Sequence, residues 1–224
     1  MRVLITSGGT REPIDGVRSI TNFSSGTTGA ALADAFADAG WDVTLLRARD
    51  ARRPNRTDRI TEATFATVAE LDAACHDLLG AQRYDAVVHA AAVSDFVVGA
   101  VVVDGVRHPA PLVGKLDSAT SLSLELVPSA KILPRLRGYA GHDDVVVVGF
   151  KLTNGATPAE VADAVARQLA TGGVGAVVHN DLTQLDHGND RHVATVHGPA
   201  GVIGRADNNA ELARVLISLV SARH

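Results

Sequence analysis

The order of apolar patterns along the chain restricts the possible fold more than any other feature. Short apolar runs that suit buried parallel strands occupy residues 3–6, 42–46, 86–89, 145–149 and 176–179. Helical patterns lie between them, at residues 26–39, 68–80, 130–137 and 159–170. This alternation predicts an α/β fold, a Rossmann-like doubly wound and mostly parallel sheet with helices on both faces.

Two segments depart from the alternation and read as hairpins. The first joins residues 97–103 to 106–112 through Asp104-Gly105, a dipeptide typical of a tight turn, and predicts a protruding flap. The second joins residues 192–197 to 202–205, and a last helix follows from 208 or 209 to 220. Because no linker, repeat or low-complexity block interrupts the pattern, residues 1–224 are expected to form a single domain.

The net charge limits the kinds of partner that the protein can bind, and the cysteine content indicates the redox state of its compartment. A formal net charge of -4 argues against nucleic acid or an anionic membrane as the partner. The lone cysteine, Cys75, excludes an internal disulfide and suits a buried thiol in a reducing compartment. The sequence shows neither a signal-peptide pattern nor an apolar run approaching ~20 residues, so a cytoplasmic location is expected.

The first thirty residues carry the strongest functional signal. A predicted strand ends in the loop SGGTREPID (residues 7–15), and a predicted helix begins after NFSSG (residues 22–26). Glycines and a helix N-terminus suit an anion. Arg18 can fork onto a phosphate or carboxylate, and the Asn22 amide can donate to a developing oxyanion. The same residues are also compatible with a tight turn that has a serine cap and a surface arginine. The sequence therefore leaves open whether this segment binds an anion or is only a turn.

A second signal, HAAAVSDF (residues 89–96), lies at the carboxyl end of a predicted central strand. Small residues there allow a flat ring or a sugar to lie against the backbone, and Asp95 can hold a ribose, a base or a metal. A close-packed strand end with Asp95 as a loop cap is the alternative. Two lysines would place positive charge at the rim of the crevice at the strand ends. Lys115 follows the flap, and Lys151 follows another predicted strand.

Taken together, these motifs resemble the phosphopantothenate–cysteine ligases of coenzyme A biosynthesis. The resemblance is carried in order by residues 8–15, 17–18, 21–26 and 29, and then by AAVSDF (91–96), KLDS (115–118), LVPSAKIL (126–133), VGFKL (148–152) and NDLT (180–183). It spans nearly the whole chain, and the collinearity of the motifs makes it specific.

The resemblance implies a two-step ligation. The carboxylate of 4'-phosphopantothenate would attack the α-phosphate of CTP or ATP, and the amine of L-cysteine would then attack the acyl nucleotide. Mg²⁺, held mainly by the nucleotide phosphates, would neutralise charge, and no flavin is expected. Stand-alone and fused relatives work as dimers, so a homodimer is implied.

The resemblance also assigns roles to individual residues. It makes Asn22 and Lys115 catalytic, with Asn22 holding the acyl intermediate and Lys115 contacting the triphosphate. Substrate binding is implied for Arg18, Ser24, Ser25 and Gly26. The implied nucleotide-binding residues are Gly8, Gly9, Ala91, Ala92, Asp95, Lys115, Pro128, Ser129, Ala130, Lys131, Phe150 and Lys151.

Three departures from the bifunctional members of the family bear on nucleotide choice. Lys115 to Ser118 replaces a lysine cluster, and Lys151-Leu152 replaces small residues. Both changes resemble stand-alone members without a fused flavin-dependent decarboxylase. Basic residues expected before Asn180 are replaced by Gln168 and Gly172, with Arg167 nearby. The choice between CTP and ATP therefore stays open.

Two other functions remain as alternatives. A nicotinamide-dependent oxidoreductase of the short-chain type needs a tyrosine with a lysine four residues on, whereas Tyr84 and Tyr139 are followed there by Val88 and Asp143. The second strand also ends in Leu46-Arg47, without an acidic residue for a ribose. A non-catalytic nucleotide-binding homologue of the ligases is the other alternative.

Overall fold

The computed structural model describes residues 1–116, 121–186 and 191–223, so Asp117 and Ser118 of the flap motif lie outside the described residues. The helices are α1 (Thr27–Asp38), α2 (Val68–Ala81), α3 (Leu136–Ala140), α4 (Pro158–Leu169) and α5 (Asn209–Ser221). The strands are β1 (Arg2–Ser7), β2 (Arg11–Pro13), β3 (Ser19–Thr21), β4 (Asp42–Ala48), β5 (Ile60–Phe65), β6 (Ala86–His89), β7 (Phe96–Val103), β8 (Val106–Pro109), β9 (Leu122–Pro128), β10 (Val146–Thr153), β11 (Ala176–Asp186), β12 (Arg191–Gly198) and β13 (Gly201–Ala206).

The main sheet has eight strands in the order β13-β12-β11-β10-β6-β1-β4-β5. The six strands from β11 to β5 pair in parallel, and the last hairpin adds β12 and β13 antiparallel at one edge. From β1 the chain proceeds outward through β4 and β5, and then returns to β6 on the other side. The doubly wound prediction is confirmed, and its switch point between β1 and β6 is where such sheets bind ligands.

Helices cover both faces of the sheet. Successive β1 residues alternate between two buried apolar clusters: Val3 and Ile5 pack with α1 and α5, whereas Leu4 packs with α2 and α3. A smaller cluster beneath α4 joins Val165 to Val177 of β11. Among the described residues, no helix is both long enough and apolar enough to cross a membrane.

The first hairpin stands apart from the main sheet. Asp104 and Gly105 both have positive φ angles, 48° and 81°, as the predicted tight turn requires. Strand β9 pairs with the other side of β7, so the flap is a three-stranded sheet in the order β8-β7-β9. No apolar pattern in the sequence predicts β9, because most of its residues are exposed.

The predicted helix at residues 130–137 is wrong at its start. Helical structure begins with a 3₁₀ turn at Leu133–Arg135 and continues as α3. Pro134 has no backbone N–H, so it is accommodated within the first turn but not further inside a helix. Residues 130–132 consequently stay outside the helix, where they can face the ligand crevice.

The capping of α4 follows the sequence signal. Thr157 is the N-cap, Pro158 occupies the first turn, and Thr157 Oγ1 accepts a hydrogen bond from the Glu160 N–H at 3.4 Å. Glu160 Oε2 returns the interaction by accepting the Thr157 N–H at 2.8 Å. This reciprocal capping box fixes the loop that leads from β10 into α4.

Replacing Thr157 with alanine is expected to destabilise the protein by about 1 kcal/mol, because the Glu160 N–H loses its acceptor. Urea unfolding followed by circular dichroism measures the change. Thr57→Ala, at an exposed loop position, is the matched control and should leave the unfolding midpoint unchanged. Equal midpoints for the two variants would contradict the capping role.

Candidate active site

The loop after β1 packs tightly against the segment after β6. The Ala92 N–H donates to the Gly8 carbonyl at 2.8 Å, and the Thr10 N–H donates to the Ala92 carbonyl at 3.1 Å. A Cβ on Gly9 would lie 2.3 Å from the Asn22 carbonyl oxygen, and one on Gly8 would lie 2.6 Å from the Ala51 Cβ. Gly8 and Gly9 are buried and line neither of the two clefts described below, so in this structure they serve close packing.

Gly9→Ala is expected to destabilise the fold by about 1–3 kcal/mol, because the new methyl group would overlap the Asn22 backbone. Gly80→Ala in α2 is the matched control, since nothing lies within 4 Å of its added Cβ. That control should be neutral or stabilising by up to about 1 kcal/mol. Thermal unfolding of both variants tests the difference, and equal stabilities would argue against the close approach.

Asn22 follows β3 and faces the larger of the two clefts. Its Nδ2 donates to the Val93 carbonyl at 3.2 Å, which links the first loop to the strand-end motif. The neighbouring Thr21 Oγ1 donates to the Thr10 carbonyl at 2.9 Å and steadies the backbone. Asn22 itself is exposed, so its amide is accessible at the switch point between β1 and β6.

The smaller cleft, of about 220 Å³, lies at the N-terminus of α1. Ser24, Ser25 and Gly26 line it together with the first turn of the helix, whose leading N–H groups lack intrahelical acceptors. The N-cap is Gly26 in the left-handed conformation and not a serine, but Ser25 Oγ accepts the Thr27 N–H at 3.4 Å, so a serine contributes to capping from the position before the N-cap. Polar groups and the helix end make this cleft a suitable seat for an anion.

Two further polar residues reach the smaller cleft from the far side. Asn180 follows the end of the apolar part of β11, a position that the sequence had indicated, but His192 was missed. His192 belongs to β12 and lies 3.4 Å from Thr28 Oγ1 through its Nδ1. No local motif marks it, because its place depends on the antiparallel pairing of β12 with β11.

The larger cleft, of about 1080 Å³, opens over the ends of β6 and β10. Among the lining residues, its charged side chains are Asp95, Lys131, Lys151 and Arg167. Lys131 forms an exposed ion pair with Asp95. Three cations against one carboxylate give the cleft a positive bias that suits a polyanionic ligand.

The two clefts adjoin each other. Six residues line both of them: Phe23, Ala91, Ala92, Phe150, Leu152 and Leu182. Ser129 and Ala130 line the larger cleft and also a third cavity of about 680 Å³ between α2 and β7, whereas Pro128 lines only the third cavity. Asn22, Phe23 and Ser24 therefore run along the chain from the larger cleft into the smaller one.

A neutral histidine lies in the floor of the larger cleft. His89 is buried and its Nδ1 lies 2.9 Å from Thr6 Oγ1, which also accepts the Ala91 N–H at 3.2 Å. Burial lowers the pKa of His89 to about 4, so the ring is uncharged at neutral pH. It offers the cleft a hydrogen-bonding group without adding charge.

Gln168 fixes the neighbouring part of the wall. Its Nε2 donates to the Phe150 carbonyl at 3.2 Å, and a Cβ on Gly149 would lie 2.4 Å from that nitrogen. Gly149 therefore leaves the space that Gln168 occupies. Arg167 and Gln168 both line the larger cleft, whereas in the sequence Gln168 is only a departure from the family pattern and Arg167 a nearby basic residue.

Arg18 and Lys115 line neither cleft. The Arg18 Nη1 donates to Asp15 Oδ2 at 2.8 Å, and Nη2 donates to the Leu116 carbonyl at 3.2 Å. Lys115 is exposed on the segment that follows the flap. The Arg18 and Val17 N–H groups lower the pKa of Asp15 to about 2, so its carboxylate stays charged in neutral solution. Among the described residues, no three His, Cys, Asp or Glu side chains form a metal-binding cluster.

Comparison with known proteins gives one family match. The family described as "DNA/pantothenate metabolism flavoprotein C-terminal domain" matches residues 1–222. The "Coenzyme A biosynthesis bifunctional protein CoaBC" of Thermococcus kodakarensis is 38% identical over 181 residues, which cover 81% of this chain and 41% of that protein. Its namesake from Methanocaldococcus jannaschii is 33% identical over 189 residues, covering 84% and 42%. The chain therefore spans about two fifths of the length of these relatives.

Solved structures share the fold. The DNA/pantothenate metabolism flavoprotein from Streptococcus pneumoniae superposes with a TM-score of 0.87 at 24% identity, covering 100% of both chains. A Cab2 mutant in complex with phosphopantothenate-cysteine gives a TM-score of 0.78 at 21% identity, covering 100% of this chain and 86% of the other. At these identities the likeness establishes the architecture alone.

Proposed function

Because this chain belongs to the family of DNA/pantothenate metabolism flavoprotein C-terminal domains, we propose that it is a ligase that joins 4'-phosphopantothenate to L-cysteine. The observation that carries the proposal is the meeting of two unlike clefts. One is a helix-end seat for an anion, the other is biased towards polyanions, and Asn22 lies beside their shared wall. A phosphorylated acid and a nucleoside triphosphate are the pair of ligands that this arrangement suits.

In the first step, a carboxylate oxygen of phosphopantothenate forms a bond to the α-phosphorus of the triphosphate, and the bond to pyrophosphate breaks. Lys131, Lys151 and Arg167 line the cleft that would receive the triphosphate. We propose that the Lys115 ammonium stabilises the negative charge of the phosphoryl group during its transfer. This role requires the Lys115 side chain to turn towards the larger cleft. Mg²⁺ enters with the triphosphate as part of the substrate, and the cleft offers it Asp95 as a carboxylate.

In the second step, the cysteine nitrogen forms a bond to the acyl carbon while the bond to the nucleoside monophosphate breaks, and the nitrogen loses a proton. Asn22 would donate its amide N–H to the acyl oxygen as negative charge develops there. Ser24, Ser25 and Gly26 would hold the phosphate of the pantothenate substrate at the N-terminus of α1. Arg18, which lines neither cleft in this structure, is assigned to binding the same substrate and would have to turn towards it.

The assembly that we propose is a homodimer. Exposed apolar side chains concentrate on the flap sheet, where Phe96, Leu122, Leu126 and Val127 each expose more than two fifths of their surface. Apolar surface of this kind is typical of protein interfaces. Light scattering coupled to gel filtration measures the mass directly, and a monomer at micromolar concentration would count against the dimer.

The deciding experiment incubates the protein with 4'-phosphopantothenate, L-cysteine, Mg²⁺ and one nucleoside triphosphate at a time. We expect amide product and pyrophosphate with CTP or ATP, which also settles the nucleotide. Binding of triphosphate without any product would instead favour the non-catalytic homologue. Tight NADPH binding with no pyrophosphate release would favour the oxidoreductase alternative. The substrates are metabolites of the cytoplasm, where we place the reaction.

A further inference from the structure

The carboxylate of Asp15 joins two segments that lie about a hundred residues apart. Oδ1 accepts the backbone N–H groups of Val17 and Arg18 at 2.8 Å and 2.6 Å. Oδ2 accepts the Arg18 Nη1 at 2.8 Å and the Leu116 N–H at 3.2 Å. The side chain of Asp15 is fully buried by these contacts, so it has no surface left with which to touch a substrate.

Backbone hydrogen bonds reinforce the same junction. The Leu112 N–H donates to the Ile14 carbonyl at 2.9 Å, and the Gly16 N–H donates to the Gly114 carbonyl at 2.8 Å. A Cβ on Gly16 would lie 3.1 Å from that Gly114 oxygen, so a glycine allows the close approach. Arg18 completes the junction by donating its Nη2 to the Leu116 carbonyl at 3.2 Å.

Lys115 lies between the two tethered residues Gly114 and Leu116. Its own side chain is exposed and, within the part of the chain that the structure describes, makes no hydrogen bond or ion pair. The contacts of Asp15 with Leu116 and of Gly16 with Gly114 form a tether between the two segments. This tether fixes the backbone on both sides of Lys115, whereas the Lys115 ammonium stays able to move. The same carboxylate sets the orientation of the Arg18 guanidinium through its Nη1.

We propose that Asp15 is a positioning residue that holds Lys115 and Arg18 in a fixed relation to each other, so that the triphosphate end and the pantothenate end of the reaction are aligned together. The proposal rests on the proposed ligase function and adds to it a residue that contacts neither substrate. Its effect passes through the backbone of Leu116 and the guanidinium of Arg18. Misplacement of a reacting group by about 1 Å is enough to slow a reaction by about 100-fold.

Asp15→Asn tests the tether with little change in shape. An amide has one acceptor oxygen, so it can serve either the Val17–Arg18 turn or the Leu116 side, and its NH₂ group then faces donors on the other side. Asp34→Asn is the matched control. Asp34 Oδ1 also accepts two consecutive backbone N–H groups, those of Asn55 and Arg56, each at 2.8 Å, in a loop that lines neither cleft.

The first measurement is independent of catalysis. Trypsin cleaves the peptide bond between Lys115 and Leu116, whose N–H is the group that Asp15 holds. Mass spectrometry of timed digests should show cleavage at this bond about 10-fold faster in Asp15→Asn, the factor expected from one lost charge-assisted hydrogen bond. Asp34→Asn should leave it unchanged. An unchanged rate in Asp15→Asn would overturn the tether.

The second measurement is a double-mutant cycle with Lys115→Gln, read as kcat and KM for pyrophosphate release. Asp15→Asn alone should lower kcat by about 10- to 100-fold, with a smaller change in nucleotide KM. In the Lys115→Gln background the further loss should be smaller, because the route through Lys115 is already lost and only the route through Arg18 remains. A fully multiplicative loss would mean a merely structural role. If the parent protein makes no product, the ligase function and this role fail together, while the cleavage rate still decides the tether.

Discussion

Asn22→Asp is expected to leave pyrophosphate release measurable while amide formation falls by at least about 100-fold. The Asn22 amide donates to the Val93 carbonyl, and it lies where the acyl nucleotide would sit. A carboxylate at the same position removes the N–H donor and places negative charge beside the oxygen on which negative charge develops. The first step, which depends on the triphosphate, should suffer less. The variant therefore uncouples the two steps.

The experiment measures both products from one reaction mixture, pyrophosphate by a coupled assay and the amide by mass spectrometry. Asn208→Asp is the matched control, because Asn208 caps α5 by accepting the Glu211 N–H and aspartate caps equally well. The control should keep both products. Normal amide turnover in Asn22→Asp would remove Asn22 from the mechanism.

Lys115→Gln is expected to slow pyrophosphate release by about 100-fold at saturating nucleotide, since a positive charge that stabilises the transferring phosphoryl group is lost. Amide formation should fall in parallel, because the second step depends on the first. This parallel loss distinguishes the variant from Asn22→Asp, in which the two products separate. Stopped-flow measurement of a single turnover gives the rate of the first step directly.

Arg107→Gln provides the control for Lys115→Gln. Arg107 is an exposed cation on the same flap, paired with Glu125 at 2.8 Å, and it lines neither cleft. Its loss should change the rate by no more than the small effect of a surface ion pair. A rate for Lys115→Gln that matches this control would exclude Lys115 from nucleotidyl transfer.

Much of the main sheet was predictable because buried parallel strands read as continuous apolar runs. The edge strand β5 escaped detection for the opposite reason. Only its end residues Ile60 and Phe65 are buried, and Glu62 lies between them, with its Oε2 accepting the Arg47 Nε–H at 2.6 Å. Likewise, most of β9 is exposed, so its residues carry no core signal. The peripheral strands β8 and β13 are also mostly exposed, but each is predicted from a tight turn that joins it to a more apolar strand, a signal that β5 and β9 lack.

Some residues of the candidate site were predictable from the sequence, and others were not. Ala91 and Asp95 reach the larger cleft because they follow the end of β6, a position that the sequence indicates. Phe150 also lines this cleft, but it lies inside β10, which extends four residues beyond the predicted strand end at residue 149. The contacts of Arg18 and Leu116 with Asp15 join residues far apart in the chain, and no spacing rule predicts them. Gly8 and Gly9 show a further limit: the close approach of their backbone to Ala51 and Asn22 depends on the folded structure and cannot be read from the glycines alone, and their assignment to the nucleotide stays a prediction.

The alanines that line both clefts bear on the yield of the proposed reaction, that is, on how much amide would form for each triphosphate cleaved. A mixed anhydride is easily hydrolysed, and each molecule that escapes into solvent wastes one nucleotide. Ala91 and Ala92 place only methyl groups where the two clefts adjoin, so their side chains would do little to separate an activated acid from an amine bound beside it. The ratio of amide formed to pyrophosphate released would then stay close to one even when cysteine is scarce.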